Sequence, residues 1–142
     1  RPMFSRPESR KNRWSLNDNY LRFWFRFIFP NQSLIEMGKY DLLREVIDRG
    51  YEQYSGLVLE KYFRSKIAEE ERITGIGSYW DNKGENEIDV IAINDLDKTA
   101  IVAEVKRNPK KIDMNILQSK VHSVKELAKY KVELQGLSLE NM

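Results

Sequence analysis

Hydrophobic positions change period several times along the chain, and each change marks an element. Tyr20, Phe23, Trp24, Phe25, Phe27 and Phe29 crowd one short stretch, with Arg22 and Arg26 a turn apart as its polar stripe. Asn17 or Asp18 supplies an N-cap and Pro30 a stop, which predicts a helix ending near Phe29. Aromatics on most of its circumference suit a helix central to a core or packed against another domain. A second helix is expected over 41–49, ending at Gly50, and a third over 51–70, with Tyr54, Leu57, Val58, Tyr62, Phe63 and Ile67 as its apolar face. The period then shortens. Residues 72–80 read as a Gly-punctuated strand and 81–85 as a polar turn. Residues 87–93 and 99–106 read as strands joined by Asn94-Asp95-Leu96-Asp97-Lys98. Asn108-Pro109 ends the second of these. A helix over 113–131 carries Ile116, Leu117, Val121, Val124, Leu127 and Ala128, and 132–139 alternates as a last strand. The fold class expected is α/β: helix, three strands, helix, strand, with accessory helices ahead.

The chain of 142 residues has the length of one domain, and 41% hydrophobic with 32% charged residues is the balance of a soluble globular protein. No apolar run approaches a membrane span, so no membrane role and a cytoplasmic location are expected. Zero cysteines exclude disulfides and thiolate metal sites. With His122 the sole histidine, any metal would be held by oxygen ligands, which favours magnesium or manganese over zinc. Because the chain opens on Arg1 and runs through Pro2, Phe4 and Pro7, residues 1–16 read as a linker from an upstream domain. Residues 17–50 read as accessory helices packed on the core, and 51–142 as the core itself.

Charge is segregated. Residues 1–26 hold seven basic and two acidic side chains, 27–97 hold eight and fifteen, and 98–131 hold nine and three. Basic segments flanking an acidic middle suit a polyanion bound beside a cation pocket, or simply the solvated faces of separate elements.

The most informative residues lie in the two strands around the turn at 94–98. Both strands are apolar on each face, as in the buried centre of a layered domain, yet they carry Asp89, Glu104 and Lys106. With the turn centred between Leu96 and Asp97, Asp89 falls opposite Glu104 and Glu87 opposite Lys106, on one face. Two such carboxylates repel unless one is protonated or a cation lies between them. A divalent ion held by Asp89 and Glu104, with Glu60 of the preceding helix completing the shell, satisfies that condition. A buried salt bridge to Lys106 is the alternative. Arg107, Lys110 and Lys111 follow and read as phosphate contacts or as a solvated turn, and Tyr79-Trp80 as packing or base stacking.

Asp89, then Glu104-Val105-Lys106, resembles the PD-(D/E)XK pattern of restriction-endonuclease-like nucleases, with Ile88 where the namesake proline would stand. The resemblance implies a restriction-endonuclease-like core and Mg2+ or Mn2+ bound by Asp89 and Glu104. It also implies a water-positioning Lys106, an assisting Glu60, an auxiliary Gln118 and DNA as substrate. Over nearly the whole chain, Asn17 to Phe27, Gly77-Ser78-Tyr79-Trp80-Asp81 and Glu87-Ile88-Asp89-Val90 are similar to the C-terminal domain of uncharacterised archaeal-type P-loop ATPases. That implies upstream winged-helix and ATPase domains as partners. No Gly-rich Lys-Ser/Thr loop is present here, and homo-oligomerisation stays open. Two functions follow as expectations: a magnesium-dependent DNA phosphodiesterase, or an inactive nucleic-acid-binding or protein-interaction module of the ATPase.

Overall fold

The structure, a computed structural model, describes residues 1–142 and divides them into two compact units, Arg13–Val58 and Arg1–Asn12 together with Leu59–Met142. The divisions fall after Asn12 and after Val58.

In the unit Arg13–Val58, Asp18 caps helix α1 (Asn19–Phe23) by accepting the Leu21 N–H at 2.9 Å. The chain then widens into a π-helical turn, Trp24–Ile28, and tightens into a 3-10 turn, Phe29–Asn31, before α2 (Gln32–Glu36). Pro30 therefore does not end the helical path. It sits in the first turn of the 3-10 segment, where a missing N–H leaves no bond unmade.

Nor does Gly50 end a helix: α3 runs unbroken as Tyr40–Ala68. A Cβ at Gly50 would lie 2.8 Å from the ring of Phe27, which is 2% exposed, so this glycine is a notch that admits an aromatic ring. Phe27 in turn meets Phe23 and Tyr54 at centroid distances of 5.1 and 5.5 Å. Leu57 and Tyr62, expected on the apolar face, are exposed.

The other unit is built on a four-stranded mixed sheet, β1 (Gly75–Trp80), β2 (Glu87–Asn94), β3 (Thr99–Val105) and β4 (Lys131–Leu137), hydrogen-bonded in that order. The first three strands are antiparallel neighbours, and β4 lies parallel to β3. Leu59, Phe63 and Ile67 of α3 pack on Val90, Ala92, Ala103 and Val105. Leu117 of α4 (Met114–Ser123), with Val124, Leu127 and Tyr130, packs on Ile91, Ile93, Ala100 and Val102 of the opposite face.

The helix expected over 113–131 stops at Ser123, because Val124 turns extended and a 3-10 segment, Lys125–Lys129, follows. Residues three apart align in a 3-10 segment, so Val124, Leu127 and Tyr130 all reach the core.

The turn after β2 sets the hairpin register. Asn94 Oδ1 accepts the N–H groups of Leu96 and Asp97 at 2.9 and 3.0 Å, and Lys98 takes φ +54°. The ladder from Asn94↔Thr99 to Val90↔Ala103 has the register expected from the sequence, but it ends one pair short of Asp89. Opposite β1 a bulge intervenes, since Gly77 pairs with Ile91 while Tyr79 pairs with Ile88. The extra residue of β2 moves Ile88 onto the α4 face beside Ile91, not onto the Val90 face predicted by simple alternation.

Residues 1–12, within the 1–16 read as linker from the sequence, are part of this unit. The Met3 N–H donates to Ser78 O at 2.7 Å, and the Met3 side chain lies over Gly75 and Gly77.

Candidate functional site

At the end of the β2–β3 hairpin the two strands part, and polar side chains occupy the gap. Asp89, beside the bulge, is half-buried, and its Oδ2 accepts the Val105 N–H at 2.8 Å in place of the missing ladder bond. Its own carbonyl accepts from Arg64 Nη2 at 3.0 Å. Arg64 stands one turn beyond Glu60 on α3, and its Nε is buried with no hydrogen-bond partner. Glu104, 8% exposed within β3, has Lys106 Nζ and Lys120 Nζ each 3.6 Å from its Oε1. Lys120 reaches it from α4, one turn past the buried Leu117.

The carboxyl groups are coupled. Burial first, then the charge of Asp89, pushes Glu60 from the usual carboxylate range up to about 7, while Arg64 and Lys106 pull the other way. Burial also raises Asp89, and Glu104 adds to that, against the Val105 N–H and the ammoniums of Lys106 and Lys120. Glu60 thus feels Asp89 and Lys106, and Asp89 feels Glu104, Lys106 and Lys120.

Gln118 takes no part in it. It is exposed on another face of α4 and lines a hollow of about 510 Å3 with Val121, His122, Leu127 and Tyr130. Arg107 is half-buried just after β3, and Lys110 and Lys111 are exposed on the 3-10 turn Pro109–Lys111. Tyr79 packs against the core cluster that includes Ile88 and Ile91. Sequence reasoning missed Arg64 and Lys120. The spacing Glu60 to Arg64 and Leu117 to Lys120 was the available signal, weak because any helix face offers it.

Hard oxygen donors that are short of compensating positive charge suit magnesium or manganese. Burial is the first cause that raises the Glu60 and Asp89 carboxyls; Asp89 and Glu104 would be the donors to such an ion, with Glu60 the third ligand expected from the sequence. No three His, Asp or Glu side chains converge into a ready-made cage. Such an ion would therefore keep much of its coordination as water or substrate oxygen, as magnesium usually does.

A mixed α/β unit with two carboxylates and two lysines at a parted hairpin thus defines the site. The chain belongs to the DUF234 family, described as archaea bacterial proteins of unknown function, whose model matches residues 24–120. That span includes Glu60, Asp89, Glu104, Lys106 and Lys120. The chain is 38% identical over 143 aligned positions to an uncharacterized protein of Methanocaldococcus jannaschii. The alignment covers 91% of this chain and 32% of that relative, so the chain spans about a third of the relative's length. No solved structure matches it at a significant level. No helix is long and apolar enough to cross a membrane.

Proposed function

We propose that residues 59–142 form a nuclease-like domain of the restriction-endonuclease-like class, a metal-dependent phosphodiesterase acting on DNA. The observation that carries this reading is the gathering of Asp89, Glu104 and Lys106 at one hairpin end, with the charges of Asp89 and Lys106 acting on Glu60. When bound, magnesium or manganese supplies Lewis-acid polarisation of a phosphoryl oxygen and acidifies water. The chain's own residues do the rest. The Val105 N–H fixes the Asp89 carboxylate. Lys106, its side chain 40% exposed, reaches solvent and would hold the attacking water while offsetting charge on the phosphate. Arg107, Lys110 and Lys111 would take flanking phosphates, and upstream winged-helix and ATPase domains would deliver the substrate.

A second reading draws on Lys106 and Lys120, which together can neutralise Glu104 without any ion. On it, the domain is an inactive nucleic-acid-binding or interaction module of the same ATPase. Tyr20, Phe25 and Phe29, exposed in the other unit, would then form its docking surface. Calorimetric titration with magnesium and manganese separates the two. Saturable binding that Asp89→Asn weakens, with DNA cleavage lost in Lys106→Ala, supports the first; absence of metal binding supports the second.

A further inference from the structure

The two margins of the sheet are finished differently. At β1 the chain's own Met3 donates its N–H to Ser78 O, whereas at the other margin the order of strands simply ends with β4. β4 pairs with β3 residue for residue, from Lys131 with Thr99 to Leu137 with Val105, with no bulge and no proline to blunt its free side. The Lys131 N–H goes to Lys98 O and the Lys106 N–H to Leu137 O, so Lys131, Glu133, Gln135 and Leu137 turn their peptide groups towards β3. Those of Val132, Leu134 and Gly136 turn outward.

The same three residues share the α4 face of the sheet. Val132 and Leu134 line the hollow of about 510 Å3 together with Val121, Leu127 and Tyr130. Gly136 continues that face and gives its place to Ile112, whose Cγ2 would lie 3.0 Å from an added Cβ. An open strand edge beside an apolar hollow is suited to an added strand, which is held by backbone bonds and fills the hollow with alternate side chains.

β4 is itself complementary to such an edge when turned antiparallel. Outward-turned residues pair only with outward-turned residues, which leaves few registers. Pairing Val132 with Leu134 of a second copy would set Glu133 directly against its own twin, like charges opposed. Pairing Leu134 with Gly136 would face each leucine with no side chain. Pairing Val132 with Gly136 sets Leu134 against Leu134 and Glu133 against Gln135, a carboxylate facing an amide donor. That register alone satisfies both faces.

We propose that β4 is a dimerisation edge, at which two copies of the chain join antiparallel about a twofold axis at Leu134. The two sheets become one, and Val132 and Leu134 of each copy lie alongside the hollow of the other. Because the chain's own first residues occupy the β1 margin, the pairing closes at two copies. The dimer stands apart from the nuclease-like reading and needs no metal.

The test combines sedimentation equilibrium of the whole chain with disulfide trapping. The chain has no cysteine, so each variant carries a single thiol. Directly opposed residues have Cα atoms about 4.5–5.5 Å apart, within disulfide reach. An equimolar mixture of Glu133→Cys and Gln135→Cys, oxidised by air with copper phenanthroline, should yield a linked dimer containing one of each. Leu134→Cys should link to itself. Lys131→Cys should not, since its twin would lie about 20 Å away along the strands. Gln135→Glu, which opposes carboxylates at both copies of the pair, should weaken the dimer severalfold, and Glu133→Lys added to it should reverse the loss. The proposal is overturned by a monomer at every concentration, which would leave the edge to a segment of another protein. It is also overturned if Lys131→Cys links as readily as Leu134→Cys, or if Glu133→Cys links to itself in preference to Gln135→Cys. The mixed pair at positions 133 and 135 can be read even if Leu134→Cys folds poorly.

Discussion

The carboxylate of Asp89 takes the Val105 N–H at 2.8 Å, one position beyond the last backbone pair of the β2–β3 ladder. A side chain thus replaces a main-chain carbonyl at the point where the sheet opens, and the polar cluster lies in that opening.

Removing this acceptor should be felt in stability. Asp89→Ala leaves a largely buried N–H without a partner, at about 1–3 kcal/mol. Asp89→Asn keeps an oxygen for Val105 and sheds a poorly solvated charge. Urea unfolding at neutral pH should place Asp89→Ala below Asp89→Asn by that margin; equal midpoints would show that Val105 finds another acceptor.

Glu60 should leave a mark on the pH dependence of stability. Its carboxyl is raised in the folded state to about 7 from an ordinary 4.5, so folding favours the protonated form. Its contribution is fully present below about 4.5 and is lost as pH rises to about 7. Glu60→Gln should therefore be more stable than the parent at pH 8, by about 1–2 kcal/mol once partial exposure is allowed for. The difference should vanish near pH 4. Denaturation series at the two pH values check this.

Two glycines of one helix should respond oppositely to alanine. A Cβ at Gly50 meets the buried Phe27 ring at 2.8 Å, so Gly50→Ala should destabilise by about 1–3 kcal/mol despite better helix propensity. At Gly56 an added Cβ meets nothing within 4 Å, and Gly56→Ala should gain up to about 1 kcal/mol. Thermal unfolding of the two variants decides it.

If the nuclease-like reading holds, Lys106→Ala should lower metal-dependent DNA cleavage by at least about 100-fold with an unchanged unfolding midpoint. EDTA should abolish cleavage in the parent. Cleavage that survives either treatment would remove Lys106 or the metal from the chemistry.

The hairpin and its polar residues were legible in the sequence because their cause is local. Asn94 closes the turn, alternation fixes the faces of β3, and carboxylates within apolar strands stand out. What escaped was set by packing between elements. The bulge that turns Ile88 towards α4 depends on β1. Lys120 and Arg64 enter the cluster only once two helices have docked on opposite faces of the sheet. Gly50 reads locally as a helix end because its reason for being glycine, the Phe27 ring, lies more than twenty residues away. Val124 breaks its helix for a similar reason: a buried column of Val124, Leu127 and Tyr130 overrides helical propensity.

The first residues carry a practical consequence. Met3 lies along the outer edge of β1, its N–H on Ser78 O and its side chain over Gly75 and Gly77. A recombinant form trimmed to begin at residue 13 would bare a glycine-rich rim with open carbonyls, a template for self-association. Aggregation of such a shortened form would report a missing selvedge along the sheet.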